Sequence, residues 1–576
     1  MPKPLNVLFL IIDSLRYDRT GTGGHRPSPT PYMDSLMRQN LSLEWCIACG
    51  SPTDFAYPGL TTGTLPLDRG GYTNGIETRE MTVAEAFRDA GYETAAFFPD
   101  YFKTTACYQR GFDYCHNLFG LVRGLVDTKD NLKFYAELYA NDSRPEARER
   151  CRAASAAYMR TLLSDLAAYT ESIVARDPDS DLGQSLLFQG IDFVAMRAEL
   201  KAELVTLERD PEAYVEPILQ DQPGPFVRHL WDQVHARAAN LPASSIDRRV
   251  NHLRLLVLAE LAVLYPLGRV HKRGVTEALK LKREPASSAL RYTTTDMARR
   301  CVMDWIDKRQ TEKPFFTWMH VSDVHEQNFV SSDLADEPVQ LDAELATARR
   351  HLRKIATRLP LFHGTPSYDL AVRYTDTVVE RLVADLEARS LRENTLLVIT
   401  ADHGHQFPEW PRRQAIHVAR SFYDDIYHIP AVFVHPSLGA DSRTGLYSSV
   451  DLPATMLDLA GVPVPSCFVG RSVRDLPAHG RDHVISEHNG QGPCDLTHKS
   501  IFVVARNKQA KIVLEAWQPA HDRPANIREV YDLTADPREL HNLAGSAPLL
   551  PAAAPLLQIA HDRIASIYEQ AAHLAQ

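Results

Sequence analysis

"NVLFLIID", residues 6–13, decides the fold. Val7 to Ile12 are all apolar, with no polar alternation, and the run is closed by Asp13. A strand with one wet face alternates. An unbroken apolar run of this length fits a strand buried on both faces, as in a parallel sheet covered by helices. The flanking sequence keeps that rhythm. "PYMDSLMRQ" (31–39) has helical spacing, and "MTVAEAFRDAGYETAAFFP" (81–99) reads as a helix, a stop at Gly91 and another strand. Further apolar strands follow in "PFFTWMHVS", "NTLLVITADHG" and "IPAVFVHP". The expected fold class is α/β, a mostly parallel central sheet flanked by helices.

Three units are expected. Residues 1–117 and 301–434 carry the strand–helix alternation and form the core. Residues 118–300 are mainly helical in pattern, as in "AAYMRTLLSDLAAYTESIVAR", "VAMRAELKAELVTLERD" and "SIDRRVNHLRLLVLAELAVLY", and read as an insertion. Residues 435–576, with "KSIFVVARN", "AKIVLEAW" and a terminal helical stretch, read as a smaller α+β subdomain. The formal net charge of -10 argues against a general nucleic-acid binder. The first apolar run is too short for a secretory signal, and no apolar stretch reaches the roughly 20 residues of a membrane span, so a cytoplasmic location without membrane contact is expected. The eight cysteines are scattered. Cys46 and Cys49 are a lone CxxC pair, and if that segment is a strand they point to opposite faces, so a shared metal is not expected.

Asp13 sits where open α/β sheets bind ligands, at the carboxyl end of a buried strand; a helix N-cap is the competing role for such a residue. "LLVITADHGH" (396–405) is a second buried strand that runs into Asp402 and His403, an acid–imidazole pair suited to a divalent transition metal. In "SPTDFAYPGLTTG" (51–63), Thr53 stands before a short expected helix, Asp54 to Thr62, with Pro58 compatible only with its first turns. A hydroxyl there lies beside backbone N–H groups that favour phosphate or sulfate, although a plain N-cap explains it equally well.

Taken in order, "VLFLIIDSLRYD", "SPTDFAYPGLTTG", "GYETAAFF", "RGFD", "PFFTWMHVSDVHE", "LLVITADHGH", "HVARSFYDDIYHIPAVFVHP", "DLPATMLDLAGV", "GRSV" and "VYDLTADPRELHNLA" resemble the sulfatase-like branch of the alkaline phosphatase superfamily. The resemblance spans almost the whole chain except the helical insertion. It implies an alkaline-phosphatase-like fold and a divalent metal gathered by Asp13, Thr53, Asp402 and His403. His325 and His417 correspond to histidines that relatives place near the transferred group, and imidazole suits general-acid work near neutral pH. Asp323 and His405 are expected as second-metal ligands or as partners of the first.

The chain departs from the arylsulfatase pattern at the nucleophile. Those enzymes convert a cysteine or serine to formylglycine within C/S-x-P-x-R. Here Thr53 takes that place, and Tyr57 stands four residues on, where the pattern has arginine. Threonine is not a formylglycine precursor, but threonine-nucleophile relatives hydrolyse phosphodiesters and phosphonates. The implied activity is therefore a metal-dependent hydrolase of such esters, acting through a phosphothreonine intermediate. A sulfatase without formylglycine, a biosynthetic phosphoryl-group transferase and an inactive anion-binding relative are the alternatives. Ser14 replaces a carboxylate that many sulfatases use for calcium, so manganese or zinc is expected ahead of calcium or magnesium. Glu380, four residues after Asp376, stands where two-zinc relatives carry histidine, which favours one metal. The expected partner is an anionic small-molecule ester, and a homodimer is the base-rate assembly.

Overall fold

The computed structural model describes residues 4–71, 78–98, 110–117, 144–174, 193–220, 295–325, 366–407, 421–490, 499–517, 525–546 and 548–574, with residues 76, 108, 132, 135–136, 138–140 and 494–496. The expected helix within 245–265 lies outside the described residues.

The central strand is β1 (Asn6–Ile12), buried along its whole length as its unbroken apolar run requires. It is followed in the large sheet by β2 (Leu41–Ile47), β3 (Glu93–Phe98), β4 (Tyr114–Asn117), β5 (Phe315–Val321), β6 (Thr395–Thr400), β7 (His428–Val434) and β8 (Asp441–Ser448). Their spatial order is β4-β3-β5-β1-β6-β7-β2-β8. β1 pairs in parallel with both β5 and β6, so the carboxyl ends of three adjacent strands emerge at one edge. Only β7 runs against its neighbours β6 and β2. This is the mostly parallel, helix-flanked sheet that the sequence predicts. Each large apolar side chain buried in it contributes roughly 1.5–3 kcal/mol.

Helices α1 (Pro31–Gln39), α2 (Thr53–Thr62) and α3 (Val83–Asp89) lie in the first part of the chain. Within 118–300, the described elements of eight or more residues are helices: Pro145–Val174, Phe193–Arg209, Pro211–Leu219 and the start of Thr295–Lys308. In the C-terminal stretch, β8 joins the edge of the large sheet beside β2. The smaller sheet begins later, with β9 (Val484–His488), β10 (Ile501–Arg506), β11 (Ala510–Ala516) and β12 (Asn526–Asp532), all antiparallel. The helix Ala554–Leu574 packs Leu556, Ala560 and Ile567 against apolar residues of this sheet.

α2 differs from the sequence expectation at Pro58, which lies in the helix interior. Its ring cannot supply the backbone N–H that a helix interior uses. Burial of Phe55 through Thr62 holds the helix around that lost bond, and the Thr61 and Thr62 hydroxyls donate to the carbonyls of Tyr57 and Pro58 at 2.7 and 2.6 Å. Gly63 ends the helix in the left-handed region, at φ +58°, where glycine carries no Cβ penalty.

The segment entering α2 is fixed from several sides. Ala48 N–H donates to Tyr427 O, Cys49 N–H to Ser449 Oγ, and Glu487 N–H to Cys49 O, at 2.8, 2.9 and 2.8 Å. Glu487 also accepts from Leu67 N–H at 2.8 Å, beyond the other end of α2. Arg563, from the last helix, pairs with both Glu487 and Asp68. Glu487 is fully buried, so removing the guanidinium leaves an uncompensated carboxylate. Arg563→Met is expected to destabilise the protein by about 3–5 kcal/mol, read as a lower urea midpoint.

Candidate active site

Parallel pairing of β1 with β5 and β6 dictates what meets at the carboxyl edge of the sheet. Asp13 follows β1, Asp402 lies just beyond β6, and His320 is the penultimate residue of β5, paired in register with Ile11. Asp13, His320, Asp402 and His403 are all at most 3 % exposed. Two carboxylates taken so far out of water need hydrogen bonds and a counter-charge.

Ser14 links the two acids. Its hydroxyl donates to Asp13 Oδ1 at 2.9 Å, and its backbone N–H donates to Asp402 Oδ1 at 3.1 Å. Ser14 sits at φ +66°, a left-handed conformation that costs a non-glycine residue on the order of 1–3 kcal/mol. Tyr368, from the helix Pro366–Ala388, holds this turn by donating to Ser14 O and accepting from Arg16 N–H, at 2.7 and 2.9 Å. Asp402 Oδ1 also accepts from His403 N–H at 2.8 Å, while its Oδ2 makes no hydrogen bond among the described residues.

Thr53 opens α2 and brings its hydroxyl to 3.2 Å from His403 Nε2. His403 Nδ1 lies 2.6 Å from Gly404 O, which can only accept, so Nδ1 carries the proton and Nε2 offers a lone pair. His403 Nε2 is 3.5 Å from Asp402 Oδ2 and 3.9 Å from Asp13 Oδ1. Thr53, Asp13, Asp402 and His403, the four expected metal ligands, are thus assembled in one place. Asp402 Oδ2, buried without a hydrogen bond, and the lone pair of His403 fit a divalent cation.

His320 was not among the residues singled out from sequence. Its Nε2 is 3.8 Å from Asp13 Oδ2, and Asp13, His320 and Asp402 can each present a ligand atom within 4.8 Å of the others. Its Nδ1 lies 2.6 Å from the Tyr57 hydroxyl, on the same helix as Thr53 and one turn further along. The available signal was a histidine next to last in an otherwise apolar strand, but its meaning depends on β5 lying beside β1.

The remaining candidates make other contacts. Asp323 accepts from Thr295 N–H and Oγ, and so caps the helix Thr295–Lys308. His405 packs against Tyr368 and Phe407, and His325 meets it edge-on with ring centroids 6.5 Å apart. Burial pushes His405 down to about 3, so it is neutral. Asp376 accepts from Tyr32 and Met33 N–H at the start of α1, a helix-capping role. His417 lies outside the described residues. Cys46 and Cys49 are buried, and burial raises both thiols above their ordinary range.

Burial pushes Asp323 up from 3.8 to about 8, and the Thr295 hydrogen bond offsets only part of that. Between those values the folded state keeps a proton that the unfolded chain has released, so this group makes stability fall as pH rises. Asp323→Asn keeps an acceptor for Thr295 and removes the titration. The variant is expected to gain stability relative to wild type as pH rises from 5 to 8, measured by urea unfolding at each pH; His405 contributes equally to both proteins.

Residues 5–173 and 277–462 match the family model "Sulfatase", well over half of the chain, with the gap inside the helical insertion. Among curated proteins, the chain is 28 % identical over 186 residues to arylsulfatase K of Canis lupus familiaris, covering 30 % of this chain and 32 % of that one. It is 27 % identical over 211 residues to an N-acetylglucosamine-6-O-sulfatase of Bacteroides thetaiotaomicron, covering 34 % of each. The matches thus span about a third of the length of these relatives. Among solved structures, a 2-O GAG sulfatase superposes with a TM-score of 0.52 at 13 % identity, covering 99 % of this chain and 93 % of that one. The phosphonate monoester hydrolase of Agrobacterium radiobacter gives a TM-score of 0.50 at 15 % identity, covering 98 % and 96 %. These likenesses establish an alkaline-phosphatase-like fold, and the family match establishes the rest: the chain belongs to the sulfatase family.

Proposed function

We propose that this protein is a metal-dependent ester hydrolase that uses Thr53 as its nucleophile on an anionic phosphodiester or phosphonate ester. The observation that carries the proposal is the 3.2 Å approach of the Thr53 hydroxyl to His403 Nε2, beside the carboxylates of Asp13 and Asp402. The absence of a formylglycine precursor at the head of α2 supports phosphoryl over sulfuryl chemistry.

Gly404 O keeps the His403 imidazole in the tautomer that turns the Nε2 lone pair toward the Thr53 hydroxyl oxygen, so that both atoms would hold the cation. Thr53 releases its hydroxyl proton to solvent, its Oγ attacks phosphorus, the bond to the leaving oxygen breaks, and a phosphothreonine forms. The leaving alkoxide takes a proton, for which His325 is the described candidate donor. Water then attacks the phosphothreonine, releases the second product and returns the proton to Thr53. The start of α2 adds the positive end of a helix dipole at the nucleophile. A divalent cation held by Asp13, Asp402, His403 and Thr53 would favour the threonine alkoxide and neutralise the non-bridging oxygens of the substrate.

A sulfatase that acts without formylglycine is the second reading, favoured by the names of the curated relatives. Wild type and Thr53→Ala are to be assayed on p-nitrophenyl phosphate, bis-p-nitrophenyl phosphate, a phenylphosphonate ester and p-nitrophenyl sulfate, with metal content measured on both. Diester or phosphonate turnover should fall by roughly 10³-fold or more in the variant while metal stays bound. Turnover of the sulfate ester alone would replace the first reading with the second.

A further inference from the structure

We propose that His320 is a metal ligand in this protein and that Tyr57 sets it up for that role, giving the site two imidazole nitrogens and making it selective for transition metals over calcium and magnesium. The proposal rests on the metal-dependent reading above.

Asp13, His320 and Asp402 can each present a ligand atom within 4.8 Å of the others, and His403 reaches the same two carboxylates. His320 Nε2 lies 3.8 Å from Asp13 Oδ2, and His403 Nε2 lies 3.5 Å from Asp402 Oδ2 and 3.9 Å from Asp13 Oδ1. With imidazole nitrogen about 2.0–2.1 Å and carboxylate oxygen about 2.0–2.2 Å from zinc, a nitrogen and an oxygen on one ion stand no more than about 4.3 Å apart, a bound that these three separations meet. His320 enters from β5 and His403 from beyond β6, flanking Asp13 at the end of β1. Imidazole nitrogen suits zinc, cobalt and related ions, whereas calcium and magnesium seek oxygen.

Tyr57 decides which nitrogen is available. Its hydroxyl is 2.6 Å from His320 Nδ1, and both residues are fully buried. When Nδ1–H donates to the phenol oxygen, Nε2 is left with its lone pair toward Asp13 and Asp402. A histidine that ligates a metal typically has such an acceptor on its other nitrogen, which fixes ring and tautomer together. Trp318 packs on Tyr57, with ring centroids 5.3 Å apart, and restrains the phenol. Because Tyr57 and Thr53 share α2, the same helix positions the nucleophile and orients this ligand.

The test is metal binding by the full-length protein after chelator treatment. Zinc affinity is measured by competition with a chromophoric chelator, cobalt by its visible ligand-field spectrum, and calcium by calorimetry. The proteins compared are wild type, Asp402→Asn, His320→Ala, His320→Gln and Tyr57→Phe, with circular dichroism and thermal melting to establish folding. The expected result is zinc binding that weakens by about 100-fold or more in both His320 variants and by about 10-fold in Tyr57→Phe. The cobalt spectrum should change in the His320 variants, and calcium should bind wild type more weakly than zinc. The glutamine variant keeps a polar side chain, so it separates loss of the nitrogen from loss of packing. If Asp402→Asn loses zinc while folded His320→Gln binds it as wild type does, the proposal is overturned and the metal-dependent reading survives. If wild type binds none of the three ions, both are overturned.

Discussion

Two carboxylates, Asp13 and Asp402, emerge from adjacent parallel strands into a place water hardly reaches. Their mutual repulsion in a poorly solvated setting is the constraint around which the site is organised. Ser14 takes a strained backbone conformation and reaches one acid with its hydroxyl and the other with its N–H. Tyr368 braces the same turn, and two histidines close in from neighbouring strand ends. The sheet thus supplies negative charge and nitrogen donors at fixed spacing, while α2 brings the hydroxyl to be activated.

Much of this was legible in the sequence because apolar runs ending in acids mark strand ends. Asp13 and Asp402 could be placed from their own segments, and Thr53 from its position before a short helix. His320 could not. Its segment reads as a strand whichever neighbour it has, and only the pairing of β5 with β1 turns that histidine toward Asp13. Asp323 and Asp376 show the opposite limit: both stood near chemically suggestive residues, yet their oxygens cap helices. Carboxylates serve caps and metals equally well, and local sequence carries no sign of which N–H groups the fold will bring near. Pro58 is compatible by itself only with the first turns of a helix, and the buried packing of α2 holds it in the interior.

The family match and the threonine at position 53 pull in different directions, and the residue at position 57 departs from the arylsulfatase pattern as well. The arylsulfatase pattern places arginine there, a permanent cation next to the reacting group. Here a neutral phenol faces inward and meets an imidazole. The helix is kept, and α2 carries no cation at that position.

The clamp around α2 has a consequence for how the protein comes into being. Residues 48–63 leave the ribosome before Ser449, Glu487 and Arg563, which lock the two ends of that segment and follow some 400 to 500 residues later. Until the last helix emerges, Glu487 has no guanidinium and the loop before Thr53 lacks its outer support. The segment that carries Thr53 therefore gains its full support only when the C-terminal unit has folded against it.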